Sequence, residues 1–320
     1  MIKLGLSLGN IIRRSIQKNI FFGSLKLWVT CISIGFILYS VASNAQDLSQ
    51  LSFNQGSRNW LLSSILISTI ALYINALAWQ SLLTWMKIEY EGTNLIQLYL
   101  DTNILKYLPG GIWHFIERIR VLKTQLHAGK ALLAVLIEPI LMVSASLLLV
   151  PFGGLYSGIS LLCFVPSLIF LPGLRNRLIL FLENYKYKQI KKIDPSLCIQ
   201  GPKNIDEYDN YPIKSLSIEI LFVITRFIGF WFCLNSFSIH EAMPIFQWLS
   251  IFSLAWTIGL IIPGAPGGVG VFESFIYIGL ADSLPEANLL AVLLSYRLVV
   301  TIADLMAPIF FKLFILKLYR

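Results

Sequence analysis

The sequence predicts an all-α, polytopic integral membrane protein with about seven spanning helices and two re-entrant broken helices arranged as an inverted repeat. Three observations carry this. Charged residues make up only 13% of the 320 residues, against 56% hydrophobic, and the mean hydropathy is +0.72. A soluble domain carries about 25% charged residues, so there is too little charge here to cover a water-facing surface. The apolar residues fall in blocks near the length of about 20 that a bilayer-crossing helix needs. The basic residues sit almost entirely between alternate blocks.

In chain order, residues 1–24 mix Ile2, Leu4, Leu8, Ile11, Ile12 and Ile16 with Lys3, Arg13, Arg14 and Lys18. That pattern suits an amphipathic cytoplasmic segment on the membrane surface. The first membrane half is 25–173, with spans at 25–43, 61–85, 128–150 and 155–173 and a Pro/Gly-broken, re-entrant stretch at 95–117. Residues 174–214 form a basic cytoplasmic loop that contains Asp194-Pro195 and Gly201-Pro202. The second half is 215–320, with spans at 215–237, 244–262 and 287–311 and a second broken stretch at 263–281.

Lys and Arg placement orients the chain. Of the 25 basic residues, only Arg58 falls in an outside segment, and Arg226 and Arg297 fall inside spans. The others lie in 1–26, 86–130, 174–214 and 312–320, which places both termini in the cytoplasm of a cell (inner or plasma) membrane. This asymmetry requires both broken stretches to return to the side they enter from, the first from the cytoplasm and the second from outside. The net charge of +8 is thus explained by topology and lipid phosphates, and no nucleic-acid partner is expected.

The broken stretches resemble each other. Pro109-Gly110-Gly111-Ile112 and Pro266-Gly267-Gly268-Val269 both give Pro-Gly-Gly and a β-branched residue, with Phe six positions after the Pro and Glu shortly beyond. Gly-rich backbone at membrane depth must line protein or a watery cavity, because lipid cannot satisfy its amides. A half-helix starting after Gly111 or Gly268 aims its positive end into that cavity and attracts an anion. Glu138, Arg226, Arg297 and Asp304 stand within apolar spans, at a cost of a few kcal/mol each unless paired or wet. Opposite signs suggest Glu138 or Glu273 paired with Arg226 or Arg297. The expected substrate site therefore comprises Gly110, Gly111, Arg118, Arg120, Glu138, Arg226, Gly267, Gly268, Glu273 and Arg297, with the arginines on a head-group phosphate and the glutamates balancing charge or meeting an amine. Six tryptophans near span ends, Trp79 and Trp248 among them, read as interfacial anchors.

No P-loop, Gly-x-Ser-x-Gly, His-Glu-x-x-His or Cys-rich metal spacing occurs, so no cofactor, metal or soluble catalytic motif is expected.

Ile262-Pro263-Gly264-Ala265-Pro266-Gly267-Gly268-Val269-Gly270-Val271-Phe272-Glu273 resembles the signature of the lysylphosphatidylglycerol synthase transmembrane (flippase-like) family. So does Lys106-Tyr107-Leu108-Pro109-Gly110-Gly111-Ile112-Trp113, followed by Arg118 and Arg120. Glu138 stands where that family carries an intramembrane glutamate, and Ser295-Tyr296-Arg297 looks like its late Tyr-Arg. Pro139 replaces the arginine usual after the glutamate, and the soluble aminoacyl-transferase domain of longer members is missing. The resemblance implies a phospholipid or glycolipid translocase, as a homo-oligomer or beside a lipid-synthesis enzyme. The rivals are an integral-membrane lipid-modifying enzyme, with Glu138 or Glu273 as acid or base, and a scaffold subunit of a glycosyltransferase or lipid synthase.

Overall fold

The structure, a computed structural model, describes residues 55–88, 90, 94–107, 112–126, 128–154, 159–177, 210–262 and 270–318. The amphipathic segment 1–24, the first span at 25–43, most of the 174–214 loop and both Pro-Gly-Gly motifs lie outside the described residues. All regular structure among the described residues is α or 3-10 helix. The helices are α1 (Gln55–Trp85), α2 (Leu95–Asn103), α3 (Trp113–Leu122), α4 (Ala128–Leu147), α5 (Ile159–Leu162), α6 (Val165–Leu168), α7 (Ile213–Ser236), α8 (Ile245–Ile261), α9 (Val271–Leu280) and α10 (Glu286–Leu318).

Among the described residues, four helical stretches are long and apolar enough to cross a membrane: Gly56–Trp85, Gly129–Gly153, Ile213–Ser236 and Glu286–Leu313. They fall on four of the expected spans. Residues 155–173 do not form one continuous helix in their described part. Short turns at α5 and α6 are separated by Cys163 and Phe164, and Pro166 and Pro172 each remove a backbone donor. The α8 helix, within the expected span 244–262, is 17 residues long and shorter than these four.

Antiparallel α1 and α7 form the centre. Ser57, Ser64, Ser68, Asn75 and Ala78 recur at helical spacing on one face of α1, and all are buried. Leu62, Leu66, Ile70 and Leu77 recur on the opposite face, and all are exposed. Small residues let two backbones approach without a hydrophobic drive between them, while the outer stripe meets hydrocarbon. Three hydrogen bonds fix the register. Ser64 Oγ donates to the Gly229 carbonyl (2.7 Å), Ser236 Oγ to the Ser57 carbonyl (3.0 Å) and Ser215 Oγ to Ser81 Oγ (3.1 Å). Residues 57, 236 and 288 therefore share one end of the bundle, because Asn288 Nδ2 also donates to the Phe237 carbonyl. Residues 85 and 213 share the other.

Each end receives a helical hairpin. From the 85/213 end, α2 starts under an Asn94 cap and reaches mid-depth at a 3-10 turn, Ile104–Tyr107. Then α3 returns to the same end, where Tyr90 Oη donates to the Val121 carbonyl (3.1 Å). From the 236/288 end, α8 descends beside α7 with Phe252 against Phe230 and Trp256 against Phe222. Then α9 climbs back, so that Tyr277 bonds Glu286 at the start of α10. The order is long helix, hairpin, long helix, twice: α1–α2/α3–α4 and α7–α8/α9–α10. Packing follows the same exchange. The pair α1 with α10 matches α7 with α4, and α2 with α10 matches α8 with α4.

Aromatic rings fill the second half. Phe230, Phe252, Phe272 and Tyr296 contact one another with centroids 5.3–6.0 Å apart. Trp79 and Trp248 are fully buried, so neither is an interfacial anchor. Cys163 and Cys233 are both buried.

Tight packing against α8 yields a stability test. An added Cβ on Gly153 would lie 2.3 Å from Ser250 Cβ and 3.1 Å from the Phe246 carbonyl. Gly153→Ala should cost about 1–3 kcal/mol, the usual penalty of overpacking. A lowered thermal midpoint in detergent, partly restored by adding Ser250→Gly, checks this.

Candidate functional site

The charges near the helix midpoints gather in three linked groups. The first joins α3 to α4. Arg118 Nη1 donates to Glu138 Oε2 (2.8 Å), Arg118 Nε to Thr102 Oγ1 (3.0 Å) and Tyr99 Oη to Glu138 Oε1 (2.6 Å). The guanidinium carbon lies 3.8 Å from the Tyr99 ring centroid and 5.4 Å from that of Trp79. Arg118 is 1% exposed and Glu138 2%. Both are fully engaged, so this group works as an internal strut that fixes the first hairpin to α4.

The second group surrounds Asp304 of α10. Its carboxylate accepts from Lys106 Nζ (2.7 Å), Tyr107 Oη (2.5 Å) and Asn103 Nδ2 (2.9 Å), and Arg226 Nη2 of α7 approaches to 3.7 Å. Arg226 is buried, and its Nη1 has no hydrogen-bond partner among the described residues. The tip of the first hairpin thus binds the far half of the molecule.

The third group joins α9 to α10. Glu273 Oε1 accepts from Arg297 Nε (2.7 Å) and Nη2 (2.6 Å). Glu273 Oε2 accepts from the Gly270 amide (2.8 Å) and so closes the first turn of α9. Gly270 has φ 89°, a left-handed conformation that glycine adopts freely, at the point where the chain turns into α9. In each repeat the returning limb of a hairpin is therefore ion-paired to the long helix that follows, with signs reversed: Arg118–Glu138 and Glu273–Arg297.

The sequence-derived site residues divide accordingly. Arg118, Glu138, Arg226, Glu273 and Arg297 are brought to mid-bundle. Glu273 takes Arg297, as one of the expected pairings has it. Glu138 takes Arg118 in place of either intramembrane arginine, and Arg226 takes Asp304. Arg120 does not join them: its side chain is 80% exposed, 3.8 Å from Glu117 on the same helix face. Gly110, Gly111, Gly267 and Gly268 lie outside the described residues. Sequence reasoning misses the participation of Tyr99, Thr102, Asn103, Lys106 and Tyr107. These lie on one face of a short amphipathic segment, where Thr, Asn and Tyr look like ordinary helix surface. It also misses Glu219, which stands close to the start of the 215–237 span, where a carboxylate reads as an edge residue.

No protein-family model and no curated protein matches the chain. Among the described residues no group of three or more His, Cys, Asp or Glu side chains is placed to hold a metal ion.

The strut gives a prediction. Arg118→Ala leaves Glu138 buried without its cation and should destabilise the protein by about 3–5 kcal/mol. Adding Glu138→Gln should recover much of that loss, because an uncharged amide has less to lose by burial. Thermal unfolding of the single and double variants in detergent measures the coupling.

Proposed function

We propose that the protein translocates a phospholipid or lipid-linked head group between leaflets of a cell membrane, with both termini cytoplasmic and both hairpins re-entrant. One observation supports this above the others. Two hairpins enter the bundle from opposite ends and bring Lys106 and Glu273 beside Arg226 of α7 and Arg297 of α10, Lys106 and Arg226 both on Asp304 and Glu273 on Arg297. Arg226 keeps a buried nitrogen without a partner there among the described residues. A phosphate supplies the acceptor oxygens that nitrogen lacks, in the bidentate geometry a guanidinium favours. Gly110, Gly111, Gly267 and Gly268, two to four positions along the chain from Tyr107 and Gly270, remain part of the proposed site. The acyl chains stay in lipid, along exposed side chains such as Leu298, Ile302, Leu305 and Ile309 of α10. The resemblance to the lysylphosphatidylglycerol synthase transmembrane family points the same way.

Arg118 and Glu138 hold the first hairpin in place in this reading, and Arg120 has no part in binding. Leaflet exchange of a fluorescent phospholipid in reconstituted vesicles should fall about tenfold or more in Arg226→Ala and Arg297→Ala, the size of one lost charge-assisted contact. Arg120→Ala should leave exchange unchanged. Exchange that survives both inner arginine variants would rule the site out. A modified lipid formed without exchange would favour an enzyme, and neither activity would favour a scaffold.

The inverted insertion has its own test. A cysteine at Asp282, in the turn after α9, should react with a membrane-impermeant maleimide added from the side opposite the 174–214 loop. Labelling from the same side as that loop would undo the inverted arrangement.

A further inference from the structure

Glu219 is the buried acidic side chain that the ion pairs leave over. It lies on α7, two turns from Arg226 toward the 213 end, and is 0% exposed. Neither of its carboxylate oxygens has a hydrogen-bond partner among the described residues. The α1–α7 register set by Ser64–Gly229 and Ser81–Ser215 places it against the turn of α1 that carries Asn75. Asn75 Oδ1 and Trp79 Nε1, on that face of α1, are buried and likewise without partners. The titratable neighbours are few. On α4 stands Glu138, already held by Arg118 and Tyr99. Tyr99 is also within electrostatic range from α2. Along its own helix Arg226 is drawn toward Asp304 of α10, and Arg297 of α10 is held by Glu273. Facing α8 carries no titratable side chain.

An ionised carboxylate in this position has no ion pair and no hydrogen bond among the described residues to offset the loss of water, a cost of several kcal/mol. A hard metal ion would need about six oxygen ligands. Among the described residues no group of three or more His, Cys, Asp or Glu side chains could supply such a shell. One small cation needs no ligand shell, and a neutral carboxylic acid can donate its hydrogen to the amide oxygen of Asn75.

We propose that Glu219 is a proton-binding site, a carboxyl held neutral inside the bundle whose proton is exchanged with water from the 213 end. Release is an acid–base step. The O–H bond breaks, the proton passes to water, and the negative charge stays on the carboxylate. Occupancy sets the charge of the neighbouring site. With Glu219 neutral, Lys106, Arg118, Arg226 and Arg297 face Glu138, Glu273 and Asp304, which leaves one net positive charge for an anion. With Glu219 ionised that charge is cancelled. The consequence for anion binding rests on the translocase reading, whereas the proton site does not.

Dicyclohexylcarbodiimide tests this on the full chain in detergent. It adds across its C=N bond the proton and oxygen of a carboxyl that is protonated in apolar surroundings, and leaves a stable N-acylurea. Peptide mass spectrometry should find Glu219 modified at about pH 7 and no longer at about pH 10, the range in which buried glutamates release their protons. Glu138, Glu273 and Asp304 should stay unmodified at both values. An infrared difference spectrum between the two pH values should show loss of a protonated-carboxyl carbonyl band, absent in Glu219→Gln. Labelling is read on the wild-type chain and decides the matter even if the variant fails to fold. An unmodified Glu219 at about pH 7 with no such band, modification indifferent to pH, or protection by sodium at fixed pH would each overturn the proposal. Vesicles without lipid exchange would count against the translocase reading and leave the labelling result standing.

Discussion

Asp304 accepts from a lysine, a phenol and an amide on one hairpin, while an arginine from the central helix pair approaches its other side. A carboxylate near the middle of an apolar helix survives only with such company. The company in turn dictates where α2, α7 and α10 stand. Rotation of α10 by one residue, about 100°, would carry Asp304 out of the cluster and strand Lys106 and Arg226 with it. Apolar packing alone gives a lipid-embedded bundle little angular preference, since lipid tails are as apolar as leucine. Buried charge supplies the missing specificity, at positions fixed by hydrogen-bond length.

The same constraint explains why the two hairpins are tied down differently along their lengths. Their returning limbs are short, 10 residues each in α3 and α9, and too short to cross a bilayer on their own. Each is held by one ion pair to the long helix that follows it. Arg118 also stacks on Tyr99, and Glu273 also caps its own helix, so neither residue serves the pair alone. The exchange of sign between Arg118–Glu138 and Glu273–Arg297 means the two halves share a geometric device without sharing the residue types. Sequence similarity between the halves is correspondingly thin, confined to the Pro-Gly-Gly motifs.

Much of the architecture was legible in the sequence because hydropathy and basic-residue placement act over whole helices. The long helices α1, α4, α7 and α10 fall where apolar blocks do. Residues 244–262 contain a 17-residue apolar helix, shorter than the four long ones, and hydropathy records its surroundings without recording its length or direction. The 155–173 block is likewise apolar throughout its described part, yet Pro166 and Pro172 break it into turns. At the site, the intramembrane charges were visible as charges in apolar blocks. Their partners were not, since pairing depends on rotation and depth. Arg118 and Arg120 illustrate this: two residues apart on one helix, they point about 200° apart, and one is buried while the other faces out.

The ion pairs also bear on how such a bundle can move. Arg118–Glu138 is almost completely buried, and opening it would strand both ions. Arg297 and Lys106, by contrast, retain partial exposure in their side chains, and Arg226 sits 3.7 Å from Asp304 with a nitrogen to spare. The first hairpin is therefore anchored at its returning limb by a fully buried pair and at its tip by Lys106 and Tyr107, which reach across to Asp304 of α10. In the proposed function, a phosphate would compete with Asp304 for Lys106 and Arg226 and leave the strut undisturbed. The tip could then part from α10 while α3 stays fixed to α4. Such a change would need no rupture of the most buried ion pair, only exchange of one acid for another around Lys106 and Arg226, whose Nη1 has no hydrogen-bond partner among the described residues.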